Sequence, residues 1–306
     1  MKLAAIDIGS NSIKLVVAEA AAGGDSFAVL AREKEVVRLG HETLTRGLLS
    51  PGAIARAAET VGRFRAVAEA RGSESVTAIA TASMRAARNA ADFVAEVERR
   101  TGVRVEVLSG EEEARLIGVA SAHGCSGGLP LVNVDIGGGS TEVSLMRGGE
   151  ARELSSVPLG AVGLTEKFIE SDPPRRKELE ALRDEVRSAF EPPAREMRGA
   201  RWVRATGTSG TIIALGDVLR RRREAAGGEI PLWPLARLNK KLAGMTLAER
   251  RAVPGISAQR AEIVVAGGQI LEGAMCALGI NMLRTCDFAL REGVVIDRLR
   301  RRGADV

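Results

Sequence analysis

Short apolar runs separated by polar turns open the chain and predict β-strands. Residues 3–8, 13–18 and 27–39 form runs of strand length, with a Gly-Ser-Asn turn after the first and a Gly23-Gly24-Asp25 turn before the third. Their close spacing predicts an antiparallel meander. From Ser50, an N-cap followed by Pro51, helix and strand alternate until a helix that opens at Ser109. This order predicts a mixed sheet with helices on its faces.

The same order of elements begins again at residue 131. Strands are predicted at 131–136, 142–146 and 150–157, and the turn after Asp135 matches the turn after Asp7, 128 residues earlier. The chain therefore contains an internal repeat of half its length. Residues 122–129 have the composition of a linker. We predict two α/β domains, 1–124 and 125–306.

The remainder of the second half is predicted from local pattern alone. We expect a helix at 174–197, a strand at 202–205, a turn at 206–211, a loop at 227–234, a helix at 258–278, a strand at 282–285 and a final helix from about Arg291.

Composition then limits the class of partner. The chain has 306 residues, 45% of them apolar, which excludes intrinsic disorder. Its net charge is +5, and because the first 125 residues hold 16 basic and 16 acidic side chains, the whole surplus lies in 126–306. Such a surplus predicts an anionic partner. Six Phe, two Trp and no Tyr are too few for the stacking platforms of nucleic-acid binders, so we expect no nucleic acid.

Cysteine and histidine usage points to an intracellular protein. Two histidines exclude a His-rich zinc centre, and Cys125, Cys276 and Cys286 show neither CxxC spacing nor an even-numbered framework. The longest apolar stretch, 263–280, contains Gln269 and Glu272 and is better explained as a buried helix than as a membrane span. We expect a reduced, cytoplasmic protein with no membrane partner.

Three glycine-rich turns are candidates for phosphate binding. Without side chains, consecutive backbone N–H groups can converge on an oxyanion, and neighbouring hydroxyls add donors. One such turn is weak evidence, because glycine turns also close ordinary hairpins, but two copies at equivalent points of a repeat favour function. The candidate residues are Gly9, Ser10, Asn11 and Ser12 in the first turn, Gly137, Gly138, Gly139 and Ser140 in the second, and Gly207, Ser209 and Gly210 in the third.

Three carboxylates are candidate ligands of a divalent metal. Asp7 and Asp135 end the strands before the first two turns, and Glu142 follows the second turn. A carboxylate beside bound phosphates can hold Mg²⁺ directly or through water. The alternative is that each Asp caps its turn; that alternative is less favoured for Asp135 and equally favoured for Asp7.

Candidate catalytic side chains lie at the end of the first half. Glu111, Glu112 and Glu113 open a helix behind Ser109, where acidic residues are favoured for capping alone and Ser109 with Glu112 matches a capping box. One of them facing a phosphate cleft would be a natural general base, but the pattern does not say which. Arg85 follows a strand end and suits a phosphate, because guanidinium is planar and permanently charged.

These segments together resemble the exopolyphosphatase / guanosine pentaphosphate phosphohydrolase family, in its short, two-domain form. The similarity covers essentially the whole chain. It rests on six motifs in order: Ala5-Ile6-Asp7-Ile8-Gly9-Ser10-Asn11-Ser12, Ala80-Thr81-Ala82-Ser83-Met84-Arg85, Ser109-Gly110-Glu111-Glu112-Glu113-Ala114-Arg115, Val134-Asp135-Ile136-Gly137-Gly138-Gly139-Ser140-Thr141-Glu142, Gly207-Thr208-Ser209-Gly210-Thr211 and Leu290-Arg291-Glu292-Gly293.

The resemblance implies a fold and residue roles. It implies two ribonuclease-H-like domains of the actin-like ATPase superfold, each with a mixed sheet, and a cleft between them. It assigns the general base to the glutamate before Ala-Arg, which is Glu113, and metal binding to Asp135 and Glu142. It also implies that Arg85 lines the substrate path. The chain departs from many relatives at Gly163, where they carry Arg.

The activity implied is release of terminal phosphate from inorganic polyphosphate, with Mg²⁺ (or Mn²⁺) as cofactor. Hydrolysis of guanosine pentaphosphate, a phosphorylated guanosine nucleotide, by the same machinery is the nearest alternative. A nucleotide-binding regulator with little turnover is an alternative of a different class. A homodimer is a further expectation.

Overall fold

The computed structural model describes residues 1–21, 26–41 and 43–304. The predicted Gly23-Gly24-Asp25 turn lies outside these residues. Within them, the chain forms two mixed β-sheets, one in each half, with helices packed on their faces. None of the described helices is both long and apolar enough to span a bilayer.

The first sheet confirms the predicted meander. Among the described residues it has five strands in the order β3-β2-β1-β4-β5, namely β1 (Lys2–Ile8), β2 (Ile13–Ala20), β3 (Phe27–Glu35), β4 (Ser75–Ala80) and β5 (Val105–Val107). The first three pair antiparallel, while β1–β4 and β4–β5 pair parallel. The third strand ends at Glu35 rather than at residue 39.

The second sheet repeats this arrangement and adds an edge strand. In the described chain it has six strands in the order β10-β11-β9-β6-β7-β8, namely β6 (Leu131–Ile136), β7 (Thr141–Arg147), β8 (Glu150–Val157), β9 (Arg204–Thr208), β10 (Glu229–Pro231) and β11 (Met282–Thr285). Strands β6–β8 form the second antiparallel meander, and β9 lies parallel to β6 as β4 lies parallel to β1. The internal repeat is therefore structural as well as sequential.

Helices cover both sheets. They are α1 (Thr43–Arg46), α2 (Pro51–Ala70), α3 (Ala82–Ala86), α4 (Ala90–Thr101), α5 (Gly110–Ser121), α6 (Ala161–Phe168), α7 (Arg176–Glu196), α8 (Gly210–Arg221), α9 (Leu232–Ala243), α10 (Leu247–Arg251), α11 (Ala258–Ala261), α12 (Val264–Leu278) and α13 (Leu290–Ala304). The start of α2 is as predicted, because the Ser50 side chain accepts a hydrogen bond from the Ala53 N–H.

Two helices join the halves. α13, from the end of the chain, packs on β1, β2 and α5, so that Val294 and Val295 share a buried cluster with Leu3 and Ala5. In turn, α5 also packs on β7 and β8 of the second sheet. The predicted division at residues 124 and 125 separates the two sheets, and the helix exchange fixes them against each other.

Two local predictions in the second half were wrong. The predicted loop at 227–234 contains β10 and the start of α9, because the segment pairs with β11 as an edge strand. The predicted helix at 258–278 is interrupted at Glu262 and Ile263, which separates α11 from α12. The local composition of these segments shows neither that residues 229–231 pair with β11 nor that the helix breaks at Glu262 and Ile263.

The expectation of a protein without disulfides was also wrong. Cys125 and Cys286 form a disulfide, with their Cα atoms 6.4 Å apart and 161 residues apart in sequence. Cys125 lies in a π-helical turn (Ala122–Ser126) that leads from the first half to the second, and Cys286 lies where the chain returns after β11. The fold therefore places the two cysteines next to each other, although they are far apart in sequence. Their spacing in the sequence does not reveal this proximity.

Candidate active site

Three turns from the two halves enclose a cavity of about 340 Å³. The β1–β2 turn contributes Gly9, Ser10, Asn11 and Ser12, the β6–β7 turn contributes Gly137, Gly138, Gly139 and Ser140, and the turn before α8 contributes Ser209 and Gly210. The cavity therefore lies between the halves, at the carboxyl ends of β1, β6 and β9. In mixed sheets of this kind, ligands bind outside the carboxyl ends of the strands.

The first two turns have the same internal bond and pack directly on each other. The Gly9 N–H donates to the Ser12 carbonyl at 3.2 Å, and the Gly137 N–H donates to the Ser140 carbonyl at 2.9 Å. A Cβ on Gly139 would lie 2.9 Å from the Ser10 Oγ, and one on Gly138 would lie 2.9 Å from the Ser10 Cβ. Only glycine fits this close approach.

The carbonyl oxygens of both turns are engaged elsewhere. Those of Ser10 and Asn11 accept from the N–H groups of Gly40 and Arg38, and those of Gly137 and Gly138 accept from the first residues of α6. These bonds fix the peptide planes of the turns. The arrangement suits an anion, because it presents N–H groups and hydroxyls whose positions are already set.

The third turn is shorter than predicted. β9 continues through Thr208, so Gly207 is a strand residue and does not line the cavity. A Cβ on Gly207 would lie 2.6 Å from Leu283 and 2.7 Å from Ile212, so packing accounts for this glycine. The predicted phosphate contact at Gly207 is corrected accordingly. Ser209, with a φ of 83°, and Gly210 make the turn itself.

Four carboxylates from four elements meet beneath the turns. Asp7 ends β1, Glu113 lies in the first turn of α5, Asp135 lies on β6, and Glu142 faces Asp135 in the β6–β7 register. Their exposed fractions are only 4%, 6%, 8% and 1%. The first three line the cavity, and Glu142 lies behind it.

The structure distinguishes the three glutamates of α5. Glu111 is exposed, and the Glu112 carboxylate pairs with Arg115 at 2.7 Å. Glu113 alone is buried and lines the cavity. The Ser109 side chain accepts from the Glu112 N–H, which is half of the predicted capping box, while the Glu112 side chain binds Arg115 instead of the helix start.

Burial raises the pKa values of Glu113, Asp135 and Glu142. The pKa of Glu113 is raised to about 7, chiefly by burial, with Asp7 and Asp135 adding to the effect and Arg85 opposing it. Burial likewise raises the pKa of Asp135, although Thr208 donates a hydrogen bond to its carboxylate. For Glu142, burial and the nearby charges of Glu113 and Asp135 raise the pKa well above its usual value. Each acid is thus poised to gain from a nearby cation.

Two side chains supply positive charge to this carboxylate group. Arg85 Nη1 lies 2.6 Å from Glu113 Oε2, and Arg85 Nη2 lies 3.4 Å from Ser140 Oγ across the boundary between the halves. Arg85 therefore contacts Glu113, the predicted base, but does not itself line this cavity. Lys14 Nζ lies 3.1 Å from Asp7 Oδ2. Sequence reasoning missed Lys14; the signal was a charged residue within the otherwise apolar run 13–18.

A second group of cations lines the cavity, beside the carboxylates Glu33 and Asp287. Arg32 and Lys34 come from β3, while Arg260 and Arg291 come from the second half. Although Lys34 is exposed, partial desolvation at the cavity wall and the neighbouring charges of Arg260, Lys14 and Arg291 lower its pKa to about 8. Sequence reasoning did not predict this group, because the excess charge of 126–306 gave no sign that β3 contributes.

The donor set fits a divalent metal bound partly by the protein. Among the described residues, no three Asp, Glu, His or Cys side chains are close enough to hold an ion by themselves. Mg²⁺ commonly takes one or two carboxylates and completes its shell with water and phosphate oxygens. Asp135 and Glu142 match that requirement, because Glu142 Oε2 is buried without a hydrogen-bond partner. Asp7 is already paired with Lys14.

Comparison with known proteins gives consistent results. The sequence model of the Ppx/GppA phosphatase family matches residues 16–302. Exopolyphosphatase 1 of Mycobacterium leprae (strain TN) is 33% identical over 306 residues, covering 98% of this chain and 90% of that protein. The crystal structure of an exopolyphosphatase from Cytophaga hutchinsonii superposes with a TM-score of 0.89 at 25% identity, covering 98% of both chains. The Aquifex aeolicus Ppx/GppA family member superposes with a TM-score of 0.81 at 26% identity, covering 99% of this chain and 98% of that one.

Proposed function

Because the chain belongs to the Ppx/GppA phosphatase family, we propose that it is an exopolyphosphatase that hydrolyses the terminal phosphoanhydride bond of inorganic polyphosphate. The observation that carries this proposal is the position of Glu113. A carboxylate with a pKa of about 7 lines the cavity that the two facing glycine turns enclose, and five Lys and Arg side chains line the same cavity. That is the arrangement required to activate water beside a bound phosphate chain.

The reaction follows from these contacts. Glu113 accepts a proton from water as the water oxygen attacks the terminal phosphorus, and the bridging P–O bond breaks to release the shortened chain. Arg85 holds the Glu113 carboxylate in place, since its guanidinium donates to Oε2. The N–H groups and hydroxyls of the turns stabilise the charge that develops on the phosphoryl oxygens.

Mg²⁺ or Mn²⁺ is the proposed cofactor, held by Asp135 and Glu142. When bound, a divalent ion offsets the negative charge of the phosphates. Support comes from the unpartnered Glu142 Oε2 and from the raised pKa values of both acids, because a nearby cation would stabilise the ionised form of each carboxylate.

Inorganic polyphosphate is favoured over guanosine pentaphosphate as substrate. Among the described residues that line the cavity there is no aromatic side chain to stack on a base, while five Lys and Arg side chains line it. The name of the M. leprae relative also supports polyphosphate. A cytoplasmic location and a homodimer stay predictions.

A substrate competition assay tests this proposal. Phosphate release is measured from short and long polyphosphate and from guanosine pentaphosphate, each with and without Mg²⁺. We expect metal-dependent release from polyphosphate. Cleavage of the nucleotide alone would contradict the substrate assignment, and tight binding of either ligand with negligible release would support a regulator instead.

A further inference from the structure

Four polar side chains form a row across the second sheet. The registers of β6–β9, β6–β7 and β7–β8 place Thr208 beside Asp135, Asp135 opposite Glu142, and Glu142 opposite Ser156. Directly paired residues of neighbouring strands have their side chains on the same face of a sheet. The two acids proposed as metal ligands are therefore flanked by one hydroxyl on each side.

Each flanking hydroxyl donates to the acid beside it. Thr208 Oγ1 donates to Asp135 Oδ2, and Ser156 Oγ donates to Glu142 Oε1 at 2.9 Å. Each of these bonds occupies one oxygen of its carboxylate. The other oxygen of Glu142, Oε2, is buried without a hydrogen-bond partner, so it remains for a different kind of partner.

The Thr208 hydroxyl is fixed in its donating orientation by the residues behind it. It accepts a hydrogen bond from Asn133 Nδ2 at 3.2 Å, and Asn133 Oδ1 in turn accepts from Thr206 Oγ1 at 2.9 Å. Because Asn133 supplies the proton of the first bond, the Thr208 proton is left for Asp135. All four of these residues are buried, so the bonds do not compete with bulk water.

Ser156 is held from its other side by α5, the helix that carries the proposed base. A Cβ on Gly110 would lie 2.6 Å from both Cβ and Oγ of Ser156, so the start of this helix lies directly against the serine. Ser144, two residues after Glu142 on β7, donates to the Ala114 carbonyl of the same helix at 2.6 Å. Because side chains two residues apart share a face of a strand, α5 covers the face that carries the row.

This arrangement matches what a metal site needs around its protein ligands. Two carboxylates placed opposite each other in a sheet repel, and a cation removes that repulsion. Groups that hydrogen-bond to the ligands orient them, and the loss of such a group typically weakens metal binding about 10–100-fold.

From this row we propose that Ser156 and Thr208 are positioning residues of the divalent-metal site. Each hydroxyl holds one oxygen of its carboxylate, Glu142 or Asp135, and leaves the other oxygen for the metal. The inference rests on the proposed function, which assigns the metal to these two acids. Neither hydroxyl takes part in the transfer of the phosphoryl group itself.

The test measures Mn²⁺ binding in the absence of turnover. The full-length protein is melted at increasing Mn²⁺ concentrations, and because an ion that binds the folded chain raises its melting temperature, the series yields a dissociation constant. Ser156→Ala removes one hydroxyl, and Thr208→Val replaces the other with a methyl group. We expect the dissociation constant for Mn²⁺ to rise about tenfold or more in each variant.

Ser155→Ala is the matched control. Ser155 precedes Ser156 on β8, lies opposite Val143 rather than Glu142, and has its side chain on the other face of the strand. This variant should bind Mn²⁺ as the unmodified protein does. A hydroxyl variant that binds Mn²⁺ as tightly as Ser155→Ala would overturn the role assigned to that hydroxyl.

A merely structural role for the hydroxyls predicts a different result. It would lower the melting temperature without Mn²⁺ and leave the dissociation constant unchanged, which would overturn the proposal. Positioning also predicts that Ser156→Ala needs about tenfold more Mn²⁺ for half-maximal phosphate release, while KM for polyphosphate at saturating Mn²⁺ stays near the unmodified value. If Thr208→Val does not fold, because Asn133 loses its acceptor, Ser156→Ala decides the question.

Glu142→Gln separates failure of this inference from failure of the proposed function. If Mn²⁺ stabilises Glu142→Gln as much as the unmodified protein, the metal assignment fails and the inference fails with it. If Glu142→Gln loses the stabilisation while both hydroxyl variants keep it, only the inference fails. If the variants bind Mn²⁺ as expected but the unmodified protein releases no phosphate from polyphosphate, the inference stands and the proposed function fails.

Discussion

Two opposing effects act on the charge of Glu113. The first turn of a helix favours an ionised carboxylate, and Arg85 favours it further. Burial opposes ionisation and prevails, so the pKa of Glu113 rises to about 7. A carboxylate in this range is partly ionised at neutral pH and basic enough to take a proton from water.

The pH dependence of phosphate release follows from this pKa. Glu113 must be deprotonated to act as a base, so kcat/KM should fall as the pH drops through about 7, rather than near the ordinary glutamate value. The neighbouring acids titrate with it, so the midpoint belongs to the group as a whole. A pH–rate profile checks this, and because a bound cation favours the ionised carboxylates, raising the metal concentration should move the fall to lower pH. Constant activity from pH 8 down to pH 5 at low metal would contradict the prediction.

At the residue scale, sequence could predict the chemistry but not the choice among neighbours. Three successive glutamates after Ser109 have the same local character, and only packing of α5 against both sheets buries Glu113 and exposes Glu111. The resemblance to a known family identified Glu113 as the base, whereas the residue pattern alone could not distinguish it from Glu111 and Glu112. Lys34 shows the same limit, since the charges of Arg260 and Arg291 that act on it come from the opposite half of the chain.

At the element scale, the two hairpin turns were predictable and the third turn was not. The repeat predicts β1–β2 and β6–β7 because their patterns match over a long segment. For β9, the Thr-Gly-Thr sequence suggests a turn, yet parallel pairing of Thr206, Gly207 and Thr208 with β6 extends the strand. Pairing with a strand that is distant in sequence therefore outweighs the local preference of these residues for a turn.

Close packing of the hairpin turns makes Gly139 sensitive to substitution. In Gly139→Ala the new Cβ would lie 2.8 Å from Leu44 Cδ2, 2.9 Å from Ser10 Oγ and 3.0 Å from Ala82 Cβ, so neighbouring side chains must shift. We expect overpacking to cost about 1–3 kcal/mol of folding free energy and to reduce phosphate release strongly. Denaturant unfolding and activity assays measure both effects.

Gly227→Ala is the matched control for that substitution. Gly227 has no atom within 4 Å of its Cβ position and no positive φ. The Gly227→Ala protein should therefore retain both its stability and its activity. If Gly139→Ala were as active as Gly227→Ala, the turns would not require their present contact.

At the scale of the whole molecule, the halves are joined by helix exchange and by a covalent bond. α13 returns to the first sheet, α5 reaches the second, and the Cys125–Cys286 disulfide links the two crossings of the chain. The repeat predicted two similar halves. The two exchanged helices follow equivalent strands, α5 after β5 and α13 after β11, but the sequence pattern does not show that each of them packs on the opposite half.

The disulfide leads to a prediction about stability. Because it closes a loop of 161 residues, its loss should destabilise the fold by roughly 2–4 kcal/mol through greater freedom of the unfolded chain. We expect Cys125→Ser to lower the melting temperature under oxidising conditions. Cys276→Ser should not, since that exposed thiol is free. Equal melting temperatures for the two variants would contradict the pairing.

The central claim, that Glu113 activates water at the junction of the halves, is tested most directly by comparing Glu113→Gln with Glu111→Gln. Both changes are isosteric, lie two residues apart on one helix, and differ in that only Glu113 faces the cavity. With polyphosphate and Mg²⁺, Glu113→Gln should reduce phosphate release by about 10²–10⁴-fold while remaining folded, and Glu111→Gln should match the unmodified protein. A Glu113→Gln protein that releases phosphate as fast as Glu111→Gln would contradict the assignment.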